Sequence, residues 1–324
     1  MLNFLSACST ARYYAQGASG HMALMSQRQP LTDILQDKKV PLKRKEQIKQ
    51  VQSIRKFAHK ELKLPKNNSY TSYVDLKRDA ISWNVITTPK YSIDPIQTCF
   101  PFTGCVSYLL YFSKERADEV AKHHQKLGRD THIIASPAYS TRGIFDDPIV
   151  STMFKGGTSS IAQIVFHELA HQQLYRNNDS DFNEAFASTV GLEGTKLWLK
   201  KYHPQKVKPY NDYLKKRTQF FKLLLTSRNE LKALYRSGKK DPQMKIGKQH
   251  IFNQLQQRYS LLKKSWHGDK RFDNWFKEHP VNNAKLAVIG VYFQKVPEFS
   301  KQLKALNYDF EKFYQYYLNK EDLL

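Results

Sequence analysis

His167-Glu168-Leu169-Ala170-His171 places two imidazoles four residues apart, with a carboxylate beside the first. On a helix, positions i and i+4 share a face, so both rings can reach one metal ion. Glu168 then sits where it can meet the attacking water rather than the metal, which is the arrangement of a zinc peptidase centre. Such a site takes three protein ligands and leaves a fourth position open, so one more donor must come from elsewhere in the chain. Glu184, in the pair Asn183-Glu184, supplies it if a second helix returns alongside the first. The expected cofactor is one Zn2+, a Lewis acid toward the scissile carbonyl, with Glu168 as general base. The oxyanion of the tetrahedral intermediate needs a donor, and Tyr139 and Tyr292 are candidates that read equally as core aromatics.

The flanking sequence can position these groups. Thr158, Ser159 and Ser160 offer N-caps ahead of an apolar run, and a helix from about Ser160 to Tyr175 follows. Residues 177–181, Asn-Asn-Asp-Ser-Asp, form a turn cluster, and a second helix reads from Phe182 to Tyr202. Glu184, Ala187, Ser188 and Gly191 fall near one face of it, and small residues there permit close approach of the two helices. Asn183 is expected to orient the second helix or to hydrogen-bond near the site.

Upstream, strands read at Ala80–Thr88, stopped by Pro89, at Val106–Phe112 and at Thr131–Ser136. A helix reads between the last two, over Ser113–Leu127. The segment Thr131–Tyr139 is the expected edge strand, where a peptide backbone could add to the sheet. From it a loop carrying Tyr139, Ser140, Arg142, Asp146 and Asp147 leads toward the metal helix. Helices also read over Tyr13–Gln36 and Leu42–Leu62. Tyr210–Arg236 and Gln243–Trp266 form an antiparallel hairpin of amphipathic helices, decorated with lysines and read as a solvated arm. Two more helices close the chain, over Pro297–Ala305 and Asp309–Leu318. The fold class is therefore α+β, mostly helical. A small sheet packs on the helix that carries the two histidines, and the long hairpin is an insertion. The expected divisions are 1–8, 9–208 (sheet and metal helices), 209–266 (hairpin) and 267–324 (helices returning to the core).

With 324 residues, 40% of them hydrophobic, the chain can bury a sizeable core. No apolar run is long enough to span a bilayer. The net charge is +23. Such a balance favours anionic neighbours, but lysines dominate and no nucleic-acid motif appears, so specific nucleic-acid binding is not expected and a basic solvated surface is. Cys99 and Cys105 can close a small disulfide loop in an oxidising compartment; in a reducing one they are two thiols.

His167-Glu168-Leu169-Ala170-His171-Gln172 with Phe182-Asn183-Glu184-Ala185-Phe186-Ala187 resembles the signature of the zinc aminopeptidases found as bacterial envelope lipoproteins. The likeness continues at Trp83-Asn84-Val85, Cys99-Phe100-Pro101 with Gly104-Cys105, Pro137-Ala138-Tyr139-Ser140-Thr141, Gly143-Ile144-Phe145-Asp146-Asp147-Pro148 and Asn282-Asn283-Ala284-Lys285-Leu286. It runs from about Cys8 to Tyr317. The Asn-Glu pair is also similar to that of the zincin-like peptidases whose third ligand is a glutamate. The resemblance implies a metallopeptidase acting on peptides, with an aminopeptidase the first reading. A zinc endopeptidase, or a binding lipoprotein that keeps the metal only as a staple, is the alternative. An aminopeptidase must hold a free ammonium, for which Asp146, Asp147 and Glu193 are candidates. Leu5-Ser6-Ala7-Cys8 resembles a lipobox. If translation starts upstream of Met1, the resemblance implies attachment to the cell envelope through a lipidated Cys8; otherwise the chain is cytoplasmic. Oligomeric state stays open.

Overall fold

Apolar spacing and chain breakers decide where the elements fall. The computed structural model describes residues 3–101, 104–293 and 295–319. Helix α1 (Asn3–Met25) is followed by a two-residue strand β1 (Gln29–Pro30), α2 (Leu31–Gln36) and α3 (Leu42–Lys60). The single helix expected over Tyr13–Gln36 is therefore two, because Pro30 cannot donate within a helix and disfavours helical backbone at the residue before it. Then come β2 (Ser72–Val74), β3 (Ser82–Thr88), β4 (Thr98–Phe100), β5 (Gly104–Val106), β6 (Leu109–Tyr111), α4 (Lys114–Lys126) and β7 (Asp130–Ser136). The strand expected over Val106–Phe112 is interrupted at Ser107–Tyr108. Its first residue closes the β4–β5 hairpin, which Cys99–Cys105 bridges as a disulfide, and its later part, β6, pairs with β3.

The main sheet runs in the order β6-β3-β7, all antiparallel, with β7 at one edge. Alternation of side chains sends Trp83 and Val85 to one face, where Ala117 and Ala121 of α4 cover them. Ile86 and Ile134 point to the other. There the sheet meets Ala284, Ala287 and Val288 of a later helix, α10 (Asn283–Phe293). The expectation that the sheet packs on the histidine-bearing helix fails; α10 occupies that place instead. At the β7 edge the Thr131 carbonyl accepts from Asn282 Nδ2 at 2.9 Å. Backbone groups of alternate strand residues point the same way, so Ile133 and Ala135 face outward with it.

Strand β8 (Ile149–Val150) joins β1 and β2 in a second small sheet. A 3-10 turn (Ser151–Gly156) then leads into α5 (Gly157–Gln173) and α6 (Ser180–Tyr202). These two helices pack along most of their length. The main core surrounds them, with α3 on one side and the closing helices α11 (Val296–Ala305) and α12 (Phe310–Asn319) on the other. The hairpin of α7 (Val207–Tyr235) and α8 (Asp241–Ser265) does not stand off as a solvated arm. Its stripe of Phe220, Leu224, Leu231 and Leu255 is buried against Leu286 and Ile289 of α10, with α9 (Asp273–Lys277) beside it. Among the described residues, no helix is long and apolar enough to cross a membrane. The side chains of Cys8 and Tyr292 lie outside the described residues.

Gly191 marks the closest approach of α5 and α6. A Cβ built there would lie 2.9 Å from the Gln163 carbonyl oxygen and 3.3 Å from His167 Cβ. Backbone oxygen cannot turn aside, so Gly191→Ala must push the helices apart. Overpacking outweighs the better helix propensity of alanine, and urea unfolding should show a net loss of about 1–2 kcal/mol. A variant as stable as the parent would show that the two helices do not fit this tightly.

Candidate metal centre

Helix α5 brings His167 and His171 to one face, one turn apart, and α6 returns Glu184 against them. The connection is short and tightly tied. Asp179 caps α6, accepting from Phe182 N at 2.9 Å. Asn183, almost fully buried, clasps the Arg176 backbone: Oδ1 accepts from Arg176 N and Nδ2 donates to Arg176 O, both at 2.7 Å. This fixes the turn of α6 on which the next residue, Glu184, stands. Asn178 ties the same connection to the disulfide hairpin by accepting from Cys105 N at 2.9 Å.

The three ligand atoms face one another. His167 Nε2 lies 3.2 Å from His171 Nε2, and Glu184 Oε2 lies 3.4 Å and 3.8 Å from those two nitrogens. A tetrahedral zinc with bonds near 2.05 Å separates its ligands by about 3.3 Å, so the spacing suits such an ion. Glu184 is buried, and its Oε2 has no hydrogen-bond partner of good geometry. A buried carboxylate oxygen and two ring nitrogens aimed at one point, with no proton donor to satisfy them all, form a donor set that a divalent cation completes. The residues present can therefore hold a metal ion.

Electrostatics follow from burial and mutual contact. Burial pushes the Glu168 carboxyl up to about 7, against the opposing pull of His167. Burial, with Arg142 and His167 adding, holds His171 down at about 4, despite the Glu184 charge. Burial would lower His167 as well, but Glu184 and the Glu168 charge together outweigh it and the net direction is upward. Glu184 is lowered, because the two imidazoles outweigh its desolvation. The Glu168 carboxylate makes no hydrogen bond among the described residues and stays partly open to solvent.

The other candidates are placed differently. The Tyr139 hydroxyl is bonded to His21 Nδ1 of α1, and its ring packs edge-on against Phe112. Asp147 is buried and committed: Oδ2 accepts from Thr141 N at 2.9 Å and Oδ1 from the Thr141 hydroxyl at 2.8 Å. Burial pushes its carboxyl up to about 6. Asp146 is exposed, with its carbonyl accepting from Arg28. Glu193 lies two and a half turns beyond Glu184 on α6, close to Lys196. Tyr292 belongs to the residues whose side chains are not described.

Sequence reasoning misses three neighbours. Tyr108 donates to Glu184 Oε1 at 3.5 Å, leaving Oε2 to the imidazoles. Gln172 follows the second histidine directly and locks the Asn67–Tyr70 turn onto α5, accepting from Asn67 Nδ2 at 2.6 Å and donating to Ser69 Oγ at 3.3 Å. Tyr70 is 1% exposed, with a hydroxyl that has no hydrogen-bond partner among the described residues. Burial raises its pKa, with the Glu168 and Asp147 charges adding to the effect. Adjacency to the motif is a signal for Gln172; Tyr108 and Tyr70 arrive only through tertiary contact.

A family model described as "Putative aminopeptidase" matches residues 12–323. No curated protein and no solved structure matches the chain.

Metal content checks the geometry. The purified protein should carry about one equivalent of a divalent metal ion. Chelator competition should show affinity falling at least a hundredfold in Glu184→Ala, and about tenfold in Tyr108→Phe, which removes only an outer contact. Unchanged affinity in Glu184→Ala would remove that carboxylate from the ligand set.

Proposed function

The chain belongs to the "Putative aminopeptidase" family, and on that premise we propose that it is a zinc-dependent peptidase, releasing residues from the amino end of peptides. The observation that carries the reading is the convergence of His167, His171 and Glu184 with Glu168 one residue from the first ligand. Zinc is the ion we propose, since two imidazoles and a carboxylate in near-tetrahedral spacing suit it. When bound, it supplies Lewis acidity to the scissile carbonyl and the attacking water.

The chain's own residues do the rest. Glu168 takes the proton of the attacking water, for which a carboxyl raised by burial is well matched at neutral pH. The same group then carries that proton to the leaving amine. Glu184 and the two imidazoles fix the geometry from opposite helices, so the base and the ligands keep one spacing through the cycle. A purely structural metal site would have no use for the free carboxylate of Glu168.

An endopeptidase is the second reading, and one observation favours it. Both oxygens of Asp147 are spent on Thr141, which leaves only exposed Asp146 on that loop to meet a substrate ammonium. We also propose an envelope location with attachment through Cys8. The Leu5–Cys8 pattern supports this, and so does the Cys99–Cys105 disulfide, which persists in oxidising compartments.

Glu168→Gln should keep its zinc and lose peptide cleavage by about 10²–10⁴-fold in kcat, measured on a panel of free and N-acetylated peptides. Cleavage of free peptides alone makes the enzyme an aminopeptidase, and equal cleavage of both makes it an endopeptidase. A Glu168→Gln variant as active as the parent would remove Glu168 as the base, and no cleavage of any peptide by the zinc-loaded wild type would end the hydrolase reading.

A further inference from the structure

The loop between β7 and β8 holds a guanidinium beside the metal centre. Residues Thr141–Asp147 form a tight turn, and Asp147 staples it from below through both oxygens. Phe145 N donates to the Thr141 hydroxyl at 3.2 Å, and Arg142 N donates to Ser140 Oγ at 3.1 Å. Two successive residues, Arg142 (φ 57°) and Gly143 (φ 80°), adopt the left-handed conformation. Glycine does so freely; arginine does so rarely, and only where its surroundings insist. The turn is pinned to its neighbours. Tyr70 N donates to Asp147 O at 2.6 Å, and a Cβ built on Gly143 would lie 3.9 Å from the side chain of Gln172, the residue after the second imidazole.

This framework holds Arg142 at the rim of the site. Its guanidinium lies 4.4 Å from the Tyr175 ring centroid, and that ring is 6.4 Å from the His171 ring. Among the described residues, Arg142 has no carboxylate partner; its guanidinium only stacks on Tyr175. A planar guanidinium backed by an aromatic face keeps its fork of donors free and matches a carboxylate bidentately.

We infer that Arg142 binds a carboxylate of the substrate, so that the site prefers peptides carrying a free carboxylate near the scissile bond. This rests on the peptidase reading above. The carboxylate is either the carboxyl terminus of a short peptide or an acidic side chain, and the two sources can be separated.

The test is calorimetric titration of the Glu168→Gln protein, with and without added zinc, using trialanine, trialanine amide and alanyl-glutamyl-alanine amide. Glu168→Gln holds peptides uncleaved, and Arg142 itself is not a metal ligand, so binding is read without turnover. A charge-assisted pair is worth about tenfold or more in affinity. Trialanine, the glutamyl amide, or both should therefore bind at least about tenfold more tightly than trialanine amide. The peptide that gains identifies the carboxylate. In the added Arg142→Asn background, where asparagine tolerates the left-handed backbone, the ratio should fall toward one. Arg142→Lys should recover part of it. Equal affinity for all three peptides, no binding of any, or a ratio that survives Arg142→Asn overturns the proposal. A carboxylate preference in binding, with no cleavage by the wild type, would leave Arg142 standing and remove the peptidase. Cleavage without that preference would do the reverse.

Discussion

The separation of α5 and α6 is the constraint on which the site depends. Ligands from two helices can share one ion only if the helices hold a fixed, close spacing, and here a glycine sets it. Gly191, without a Cβ, meets the Gln163 carbonyl and His167 Cβ at distances no larger residue tolerates. Buried Ala187 and Ser188 extend this low-relief surface toward Glu184. Close backbone approach does two things at once. It brings the Glu184 carboxylate within 3.4 Å of His167 Nε2, and it excludes the water that would otherwise hydrate that carboxylate. Desolvated donors of this kind are costly when unpaired, so the packing that shapes the site also makes it want a cation.

Distance alone does not fix orientation, and the short α5–α6 connection supplies that. Asn183 grips both backbone groups of Arg176, and Arg176 in turn lies 3.8 Å over the Phe182 ring and donates to the Tyr317 carbonyl at 2.6 Å. The start of α6 is thus bolted to the last helix of the chain. From the opposite side, the disulfide hairpin holds Asn178 through Cys105 N, and two residues past the end of that hairpin Tyr108 reaches Glu184. The third ligand is approached from two directions by segments distant in sequence. A hydroxyl on Oε1 leaves Oε2 as the free donor, which selects one oxygen of the pair.

Much of this was legible in the sequence because it is local. The i, i+4 histidines, the turn cluster at 177–181 and the small-residue face of α6 all lie within some thirty residues, and helical geometry converts their spacing directly into placement. The hairpin of α7 and α8 could be read for the same reason, from apolar stripes bounded by the turn at 237–240. What covers what was not legible. Helix α10 reads as an apolar segment returning to the core, but nothing local says that it lies between the sheet and α6 while α5 packs elsewhere. Tyr139 reads as a free hydroxyl near the site until α1 brings His21 to it across more than a hundred residues. Tyr70 and Tyr108 were invisible on the same grounds: each owes its place to packing rather than to its neighbours in the chain.

The tertiary structure also redistributes charge in a way that composition hides. A surplus of cations over the whole chain says nothing about the site, where carboxylates are gathered on purpose. Glu184 lies in the group that could hold a metal ion, Glu168 is the proposed base, and Asp147 staples the turn at Thr141. A divalent ion there would have its charge balanced by Glu184 and Glu168, and among the described residues the Arg142 guanidinium at the rim has no carboxylate partner. A peptide entering such a field is sorted by where its own charges lie. Asp147, with both oxygens on Thr141, is withheld from a substrate ammonium, and the same contacts hold the turn that carries Arg142 beside Tyr175.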